Sequence, residues 1–233
     1  MMKILESFVS ILEKLRINAI IRKYFSFNLR FSGIFLNYPP YNTKTHKYLI
    51  SYQDPIRFLT ITLAINNIIE EKIEGSFAEL GVYRGDASKI IHKLAPNRKY
   101  YLFDTFEGFP SRFLKKKDLR FKDTNEIIVK KKIDDLSNII IKKGIFPDTT
   151  KGLEKESFSF VLIDFDLFEP TLLALDFFYP KVHPGGYFFI HDYNNPYESN
   201  NAVFKAVKEF MKNKPEKIIQ IPDKWGSIVF RKI

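Results

Sequence analysis

Asp164, Asp166, His191 and Asp192 are residue types that bind a hard divalent cation or move a proton. Asp164-Phe-Asp166 closes one apolar run, Phe158 to Asp164, and His191-Asp192 closes another, Tyr187 to His191. Both runs read as buried strands. In a parallel sheet the C-terminal strand ends share one edge, so these four side chains converge there. Two carboxylates that leave positions open for water or substrate suit Mg²⁺, and an imidazole also admits Mn²⁺ or a later transition metal. The competing use of Asp164 and Asp166 is to cap the helix that opens near Pro170. A cap needs one acid, whereas two at i and i+2 project to one side of an extended segment.

A second set of residues supplies a nucleoside site. The run Ser76 to Leu80 enters the turn of Glu79-Leu-Gly-Val-Tyr-Arg-Gly85, and Asp86-Ala-Ser-Lys-Ile-Ile-His-Lys-Leu leaves it at helical spacing, with Asp86 as the expected cap. Gly81 and Gly85 permit close backbone approach to a ligand, and the next strand delivers Asp104, whose carboxylate suits a ribose diol. The ligand is then an adenosine derivative. The dinucleotide pattern G-x-G-x-x-G and the triphosphate pattern G-x-x-x-x-G-K-[ST] are both missing. Glu79, placed before the turn, repels a phosphate and welcomes an ammonium group, which favours S-adenosylmethionine; its competing use is to cap a helix or to pair with Arg84. Tyr83 borders the turn, Ser88 lies in the first helical turn where a donor meets the methionine carboxylate, and Thr105 and Phe106 follow the ribose acid along the adenosine site.

These blocks resemble the macrocin and novobiocin-type sugar O-methyltransferases over roughly Tyr48 to Ile233. The resemblance rests on Gly75-Ser-Phe-Ala-Glu-Leu-Gly-Val-Tyr-Arg-Gly85, Leu102-Phe-Asp-Thr-Phe-Glu-Gly-Phe-Pro110, Gly144-Ile-Phe-Pro-Asp-Thr149, Ile163-Asp-Phe-Asp-Leu-Phe-Glu-Pro-Thr171 and Tyr179-Pro-Lys-Val-His-Pro-Gly-Gly-Tyr187 with Ile190-His-Asp-Tyr193. It implies that Asp164 and Asp192 bind a metal, that His191 is the third ligand, that Asp166 is the general base, and that Phe146 to Thr149 border the adenine. The family pattern expected at the fifth strand end is Asp-Asp, so His191 is a departure that bears on Mg²⁺ more than on the metal site itself. The implied partner is a sugar or glycosylated small molecule.

The elements that must position these residues alternate. Strands are expected at Phe77–Gly81, Lys99–Asp104, Ile139–Lys142, Phe158–Asp164, Tyr187–His191, Lys217–Ile221 and Ser227–Arg231, with helices at Asp54–Lys72, Ala87–Leu94, Asn125–Leu136, Pro170–Tyr179 and Asn201–Asn213. The alternation predicts an α/β, Rossmann-like doubly wound sheet of seven strands, six parallel and one antiparallel at the edge. Pro222-Asp-Lys-Trp-Gly226 is too short for a helical crossover and makes the last two strands a hairpin. Residues 48–233 form the catalytic domain in this reading. Residues 1–47 form an extension of amphipathic helices, with apolar Ile4, Phe8, Ile11, Leu12, Leu15 and Ala19, followed by a breaker at Asn37-Tyr-Pro-Pro-Tyr41. That apolar stripe suits packing on the domain or on a second subunit, hence a homo-oligomer.

Composition narrows the function class. The 233-residue chain has no cysteine, which excludes disulfides, thiolate zinc sites and cysteine nucleophiles and agrees with a cytoplasmic location. No run reaches the roughly 18 to 20 apolar residues of a membrane span. The formal charge of +10 comes from lysines scattered among acids, in a chain also rich in Ile, Asn and Phe as an AT-rich coding sequence produces, so nucleic acid is not the expected partner. One cluster, Lys115 to Lys122, offers contact to an anionic substrate or is a solvated loop. His46, His92 and His183 have no comparable setting. Asn37-Tyr-Pro-Pro-Tyr41 and Asn195-Pro-Tyr197 echo the motif of DNA amine methyltransferases, but the spacing fails and the fourth strand end is occupied by Asp-Phe-Asp. The remaining rivals are a metal-dependent catechol-type O-methyltransferase and a protein that binds the cofactor without turnover.

Overall fold

Burial on both faces makes β1 (Ser76–Leu80) and β4 (Phe158–Ile163) apolar runs apart from Ser76 and Glu79 in β1 and Ser159 in β4. In the computed structural model, which describes residues 54–195 and 201–233, they pair in parallel at the middle of a seven-stranded sheet. The other strands are β2 (Tyr100–Asp104), β3 (Ile139–Lys143), β5 (Val182–Ile190), β6 (Ile219–Ile221) and β7 (Ser227–Arg231). Their order is β3-β2-β1-β4-β5-β7-β6. Five strands from β3 to β5 are parallel neighbours, and β7 pairs antiparallel with both β5 and β6. The expected hairpin forms, with its antiparallel strand inserted next to β5 and the short β6 outermost.

Helices α1 (Pro55–Glu70), α2 (Asp86–Leu94), α3 (Glu126–Ile133), α4 (Phe168–Phe178) and α5 (Ala202–Met211) supply the crossovers and covers. Helix α1 starts on Asp54, whose side chain accepts from the Arg57 amide, and on Pro55 at its first position. Phe58, Ile61, Ile65 and Ile68 then bury one stripe. The predicted cap of α2 is corrected: Gly85 is the cap, in the left-handed region, and Asp86 is the first helical residue, ion-paired to Lys132 at 2.6 Å. Helix α4 begins at Phe168, two residues before Pro170, because Leu167 rather than an acid stands at its cap.

Aromatic rings fill much of the core. Phe188 and Phe230 are cross-strand partners of β5 and β7 and stack at 4.8 Å, while Phe158 and Phe178 meet edge to face at 4.9 Å. Each fully buried ring of this kind stabilises the fold by about 1.5–3 kcal/mol. The consequence for the site is rigidity of the strands beneath it. Non-glycine residues with positive φ follow four of those strands: Tyr83 (50°) after β1, Phe106 (56°) after β2, Asp166 (59°) after β4 and Asp192 (59°) after β5. The expected helices over residues 1–31, the breaker at Asn37 to Tyr41 and His46 lie outside the described residues.

Candidate functional site

The sheet reverses its winding between β1 and β4, which opens a crevice at their carboxyl ends. The hydrogen-bond ladder continues one residue beyond each strand there. Gly81 N–H donates to the Phe103 carbonyl, Asp164 N–H to Leu80 and His191 N–H to Ile163, at 2.8–2.9 Å. The backbone of each site residue is thus placed by the sheet. Gly81 allows the close approach of β1 and β4: a Cβ there would stand 2.0 Å from the Asp164 carbonyl oxygen.

Above this edge lies a cavity of about 380 Å³ lined by Gly81, Tyr83, Asp104, Thr105, Asp164, Asp166, His191 and Asp192 among others. Those eight predicted residues are brought together. Glu79, Gly85, Ser88 and Phe106 are not among the lining residues and shape the turn from below. Glu79 is 1 % exposed and accepts hydrogen bonds from Ser88 Oγ at 2.7 Å and from the Tyr100 hydroxyl. Burial outweighs those bonds and pushes its carboxyl up to about 8, so Glu79 is neutral near pH 7. The sequence reading takes Glu79 as an ammonium acceptor, and the structure places its carboxyl beneath the turn, enclosed by Ser88 and Tyr100. A residue inside a two-sided parallel strand points into the protein, here towards Ser88 of α2.

Asp104 has a structural task as well. Its Oδ2 accepts from the Val82 and Tyr83 amides at 2.8 and 2.9 Å, and its Oδ1 from Phe106 at 2.7 Å. A carboxylate offers about four lone-pair sites, so room remains for about one ligand donor. Thr105 Oγ1 donates to the Gly108 carbonyl at 2.7 Å and closes the loop that follows. Tyr83 reaches across to Asp123 at 2.9 Å, and Arg84 pairs with the same carboxylate.

The acidic cluster surrounds one imidazole. His191 Nδ1 lies 2.9 Å from Asp164 Oδ1 and 2.8 Å from Asp192 Oδ2, and Asn195 donates to the other Asp192 oxygen at 2.6 Å. On the opposite side, Arg57 NH1 stands 2.6 Å from His191 Nε2 and 3.6 Å from Asp164 Oδ2. Burial by itself lowers the His191 pKa, but the Asp164 charge and the bonds to both carboxylates overcome this and push it up to about 10. The two carboxylates facing Nδ1 hold a proton there. Asp166 is pushed well above the carboxylate range by burial and by the charges of Asp192 and Asp164, and it shares its proton with Asp192. Asp192 is lowered despite its burial, because His191 and Asp166 hydrogen-bond to its charged form.

The two carboxylates are not helix caps, since no side chain caps α4. Their convergence also has a different origin from strand alternation. Strand β4 ends at Ile163, and the positive φ of Asp166 turns its side chain back to the cavity. Donor atoms of Asp164, His191 and Asp192 lie within 4.8 Å of one another. The carboxylate oxygens fit a hard divalent cation. The imidazole fits once its proton leaves Nδ1.

Residues absent from the sequence reading of the site complete its walls, namely Arg57, Phe109, Phe113, Asn195 and Trp225, together with Arg120 of the Lys115 to Lys122 cluster. Arg57 carries no readable signal, being one charged residue in the first turn of an amphipathic helix. Trp225, the sole tryptophan, sits in the turn of a predicted hairpin and was the more readable of the two.

The sheet order and this crevice are those of the class I methyltransferase fold. The chain belongs to the macrocin O-methyltransferase family, whose model matches residues 54–232. It is 23 % identical over 158 residues to the 8-demethyl-8-(2,3-dimethoxy-alpha-L-rhamnosyl)-tetracenomycin-C 4'-O-methyltransferase of Streptomyces olivaceus, covering 59 % of this chain and 60 % of that one. It is also 23 % identical over 156 residues to the demethyldecarbamoylnovobiocin O-methyltransferase of Streptomyces niveus, again 59 % and 60 % of the two chains. Each match therefore spans about three fifths of the relative. The solved O-methyltransferase NovP superimposes with a TM-score of 0.65 at 22 % identity over 76 % of this chain and 80 % of NovP. The calicheamicin methyltransferase CalS11 superimposes at 0.59, 18 % identity, over 87 % and 99 %.

Proposed function

We propose that the protein transfers a methyl group from S-adenosylmethionine to a hydroxyl of a sugar or glycosylated small molecule. The observation that carries this reading is the meeting of Asp164, Asp166, His191 and Asp192 with the glycine turn and Asp104 in one cavity. Gly81, Tyr83, Asp104 and Thr105 face the cofactor in this reading, with Glu79, Gly85, Ser88 and Phe106 supporting the turn. One relative's name supplies the acceptor class, a rhamnosyl tetracenomycin methylated on oxygen.

A divalent cation, Mg²⁺ or Mn²⁺, held by Asp164 and Asp192 with His191 as third ligand, would orient adjacent acceptor hydroxyls and lower the pKa of the attacking oxygen. Asp166 is the base. Its proton is retained by the negative charges of Asp192 and Asp164, and neutralising those charges frees the carboxylate to accept the hydroxyl proton. The acceptor oxygen forms its bond to the sulfonium methyl carbon as the carbon–sulfur bond breaks, and S-adenosylhomocysteine leaves.

The aromatic walls Phe109, Phe113 and Trp225 favour a second reading, a catechol-type aromatic diol acceptor. The test is calorimetric titration of S-adenosylhomocysteine with and without Mg²⁺ or Mn²⁺, followed by methyl-transfer assays on glycosides, nucleotide sugars and catechols. Binding with transfer to a sugar hydroxyl supports the first reading and transfer to catechol the second. Binding without transfer to any acceptor favours a non-catalytic cofactor-binding protein, and no cofactor binding under any metal condition overturns all three. Self-association through the apolar stripe of residues 1–31 completes the proposal, and a monomeric mass in light scattering would remove it.

A further inference from the structure

The chain that follows β2 leaves the site at Asp104 and returns to it at Asp123, and both ends are fastened to one residue of the glycine turn, Tyr83. At the outgoing end, Asp104 Oδ2 accepts from the Tyr83 amide at 2.9 Å. At the returning end, the Tyr83 hydroxyl donates to the two Asp123 oxygens at 2.9 and 3.2 Å, and the Tyr83 carbonyl accepts from Thr124 Oγ1. Arg84 adds its guanidinium to the Asp123 carboxylate and donates from Nε to the Asp123 carbonyl at 3.3 Å. Between these ends the cavity wall is made of rings. Phe121 meets Tyr83 edge to face at 5.2 Å and Phe109 in the same way at 5.2 Å, and all three line the cavity. Gly108 lets the two arms of the loop touch, since a Cβ there would stand 2.7 Å from the Arg120 carbonyl oxygen. Residues 114–124 belong to no helix or strand, so side-chain contacts set the path of this wall.

We propose that Asp123 is a positioning residue that joins the cofactor turn to the Phe109–Phe121 wall, so that a cofactor seated on the turn stiffens the wall offered to the acceptor. The proposal rests on the methyltransferase reading given above. Tyr83 is the joint. Its amide is held by Asp104, the acid assigned to the ribose, and its backbone is kept at φ 50°, so its ring and hydroxyl carry any restraint on the turn outward to Phe121 and Asp123. A ligand that orders the turn therefore takes freedom from wall residues it does not touch, and the acceptor then meets a surface already ordered. The Asp123 side chain is 59 % exposed and that of Arg84 45 %, so their ion pair contributes little to stability and the fold does not depend on it. What the carboxylate supplies is a fixed point for the phenol.

The experiment is limited trypsin digestion of the full chain with and without saturating S-adenosylhomocysteine, with cleavage after the exposed Lys115, Lys116, Lys117 and Lys122 followed by mass spectrometry. Cleavage tracks the population of opened loop, and bound S-adenosylhomocysteine is expected to slow it at least about tenfold in the wild type. Asp123→Ala is expected to lose most of that protection while binding S-adenosylhomocysteine, read by calorimetry, within about threefold of the wild type. Asp123→Asn still offers the phenol an acceptor and is expected to restore most of the protection. A purely structural role would speed cleavage equally with and without ligand and leave their ratio unchanged. That outcome overturns the proposal, as do a wild-type loop cut equally fast with ligand bound and an Asp123→Asn chain no better protected than Asp123→Ala. A fall in S-adenosylhomocysteine affinity that matches the lost protection also overturns it, because Asp123 then serves the cofactor directly. Binding by the wild type with protection indifferent to Asp123 defeats this inference alone, and absent binding by the wild type defeats the methyltransferase reading beneath it.

Discussion

Single side chains set the charge states on which the proposed chemistry depends. Asp166→Asn keeps the size and the left-handed backbone but cannot accept a proton. Methyl transfer should fall by about 10²–10⁴ while S-adenosylhomocysteine affinity, read by calorimetry, changes little. Glu79 predicts a pH effect on stability. Its folded pKa of about 8 lies above the ordinary carboxyl value of 4.5, so across that window the folded chain keeps a proton that the unfolded chain has lost. The contribution is complete below pH 4.5 and declines as pH rises through 8, by about 1.4 kcal/mol per unit at most. Urea melts from pH 5 to 9 should show a steeper decline for the wild type than for Glu79→Gln. Parallel slopes would mean that Glu79 is charged in the fold. The acid at this position was legible in the sequence, but its charge was not, because only the packed position of Tyr100 and Ser88 shows that the carboxyl is enclosed.

The turns between elements carry the geometry of the crevice. Gly81 has φ +89° and no space for a methyl group against the Asp164 carbonyl. Gly81→Ala should destabilise by about 2–4 kcal/mol through overpacking and backbone strain together, lowering the thermal midpoint and cofactor affinity in parallel. Strands and helices were readable because apolar runs end on turn residues and helical stripes recur at regular spacing. Their ends were less so. Asp86 looked like a cap, yet the glycine before it already takes the left-handed conformation that starts α2. Asp164 and Asp166 looked like strand residues, yet β4 stops at Ile163 and a turn aims the second acid.

At the scale of the whole molecule, the sheet brings residues more than a hundred positions apart to one edge, and local pattern cannot say which side chains finally touch. The hairpin of β6 and β7 followed from a short loop. That β7 rather than β6 would pair with β5 was decided by contacts such as Phe188 on Phe230, invisible to loop length. Arg57 belongs to the same class of information, arriving from α1 through the Asp54 link to Lys224. No helix among the described residues is long and apolar enough to cross a membrane. The metal-assisted reading predicts that chelation with EDTA abolishes methyl transfer and that Mg²⁺ or Mn²⁺ restores it. Added cation should also stabilise the fold, by about 2.7 kcal/mol at a hundred times its Kd, as a shift of the thermal midpoint. A midpoint indifferent to Mn²⁺ would remove the metal from the mechanism.

The positive φ angles of Tyr83, Phe106, Asp166 and Asp192 mark where durability and usefulness of this chain part company. Such backbone is easiest for glycine, and a side chain kept there carries a standing cost of order 1–3 kcal/mol. For Asp166 the cost is compounded by a buried carboxyl among like charges. Asp166→Gly should therefore melt no lower than the wild type in calorimetric scans while transferring no methyl groups. Selection of variants for heat resistance alone would drift towards that change, so a screen for robust variants of this protein has to score turnover alongside survival.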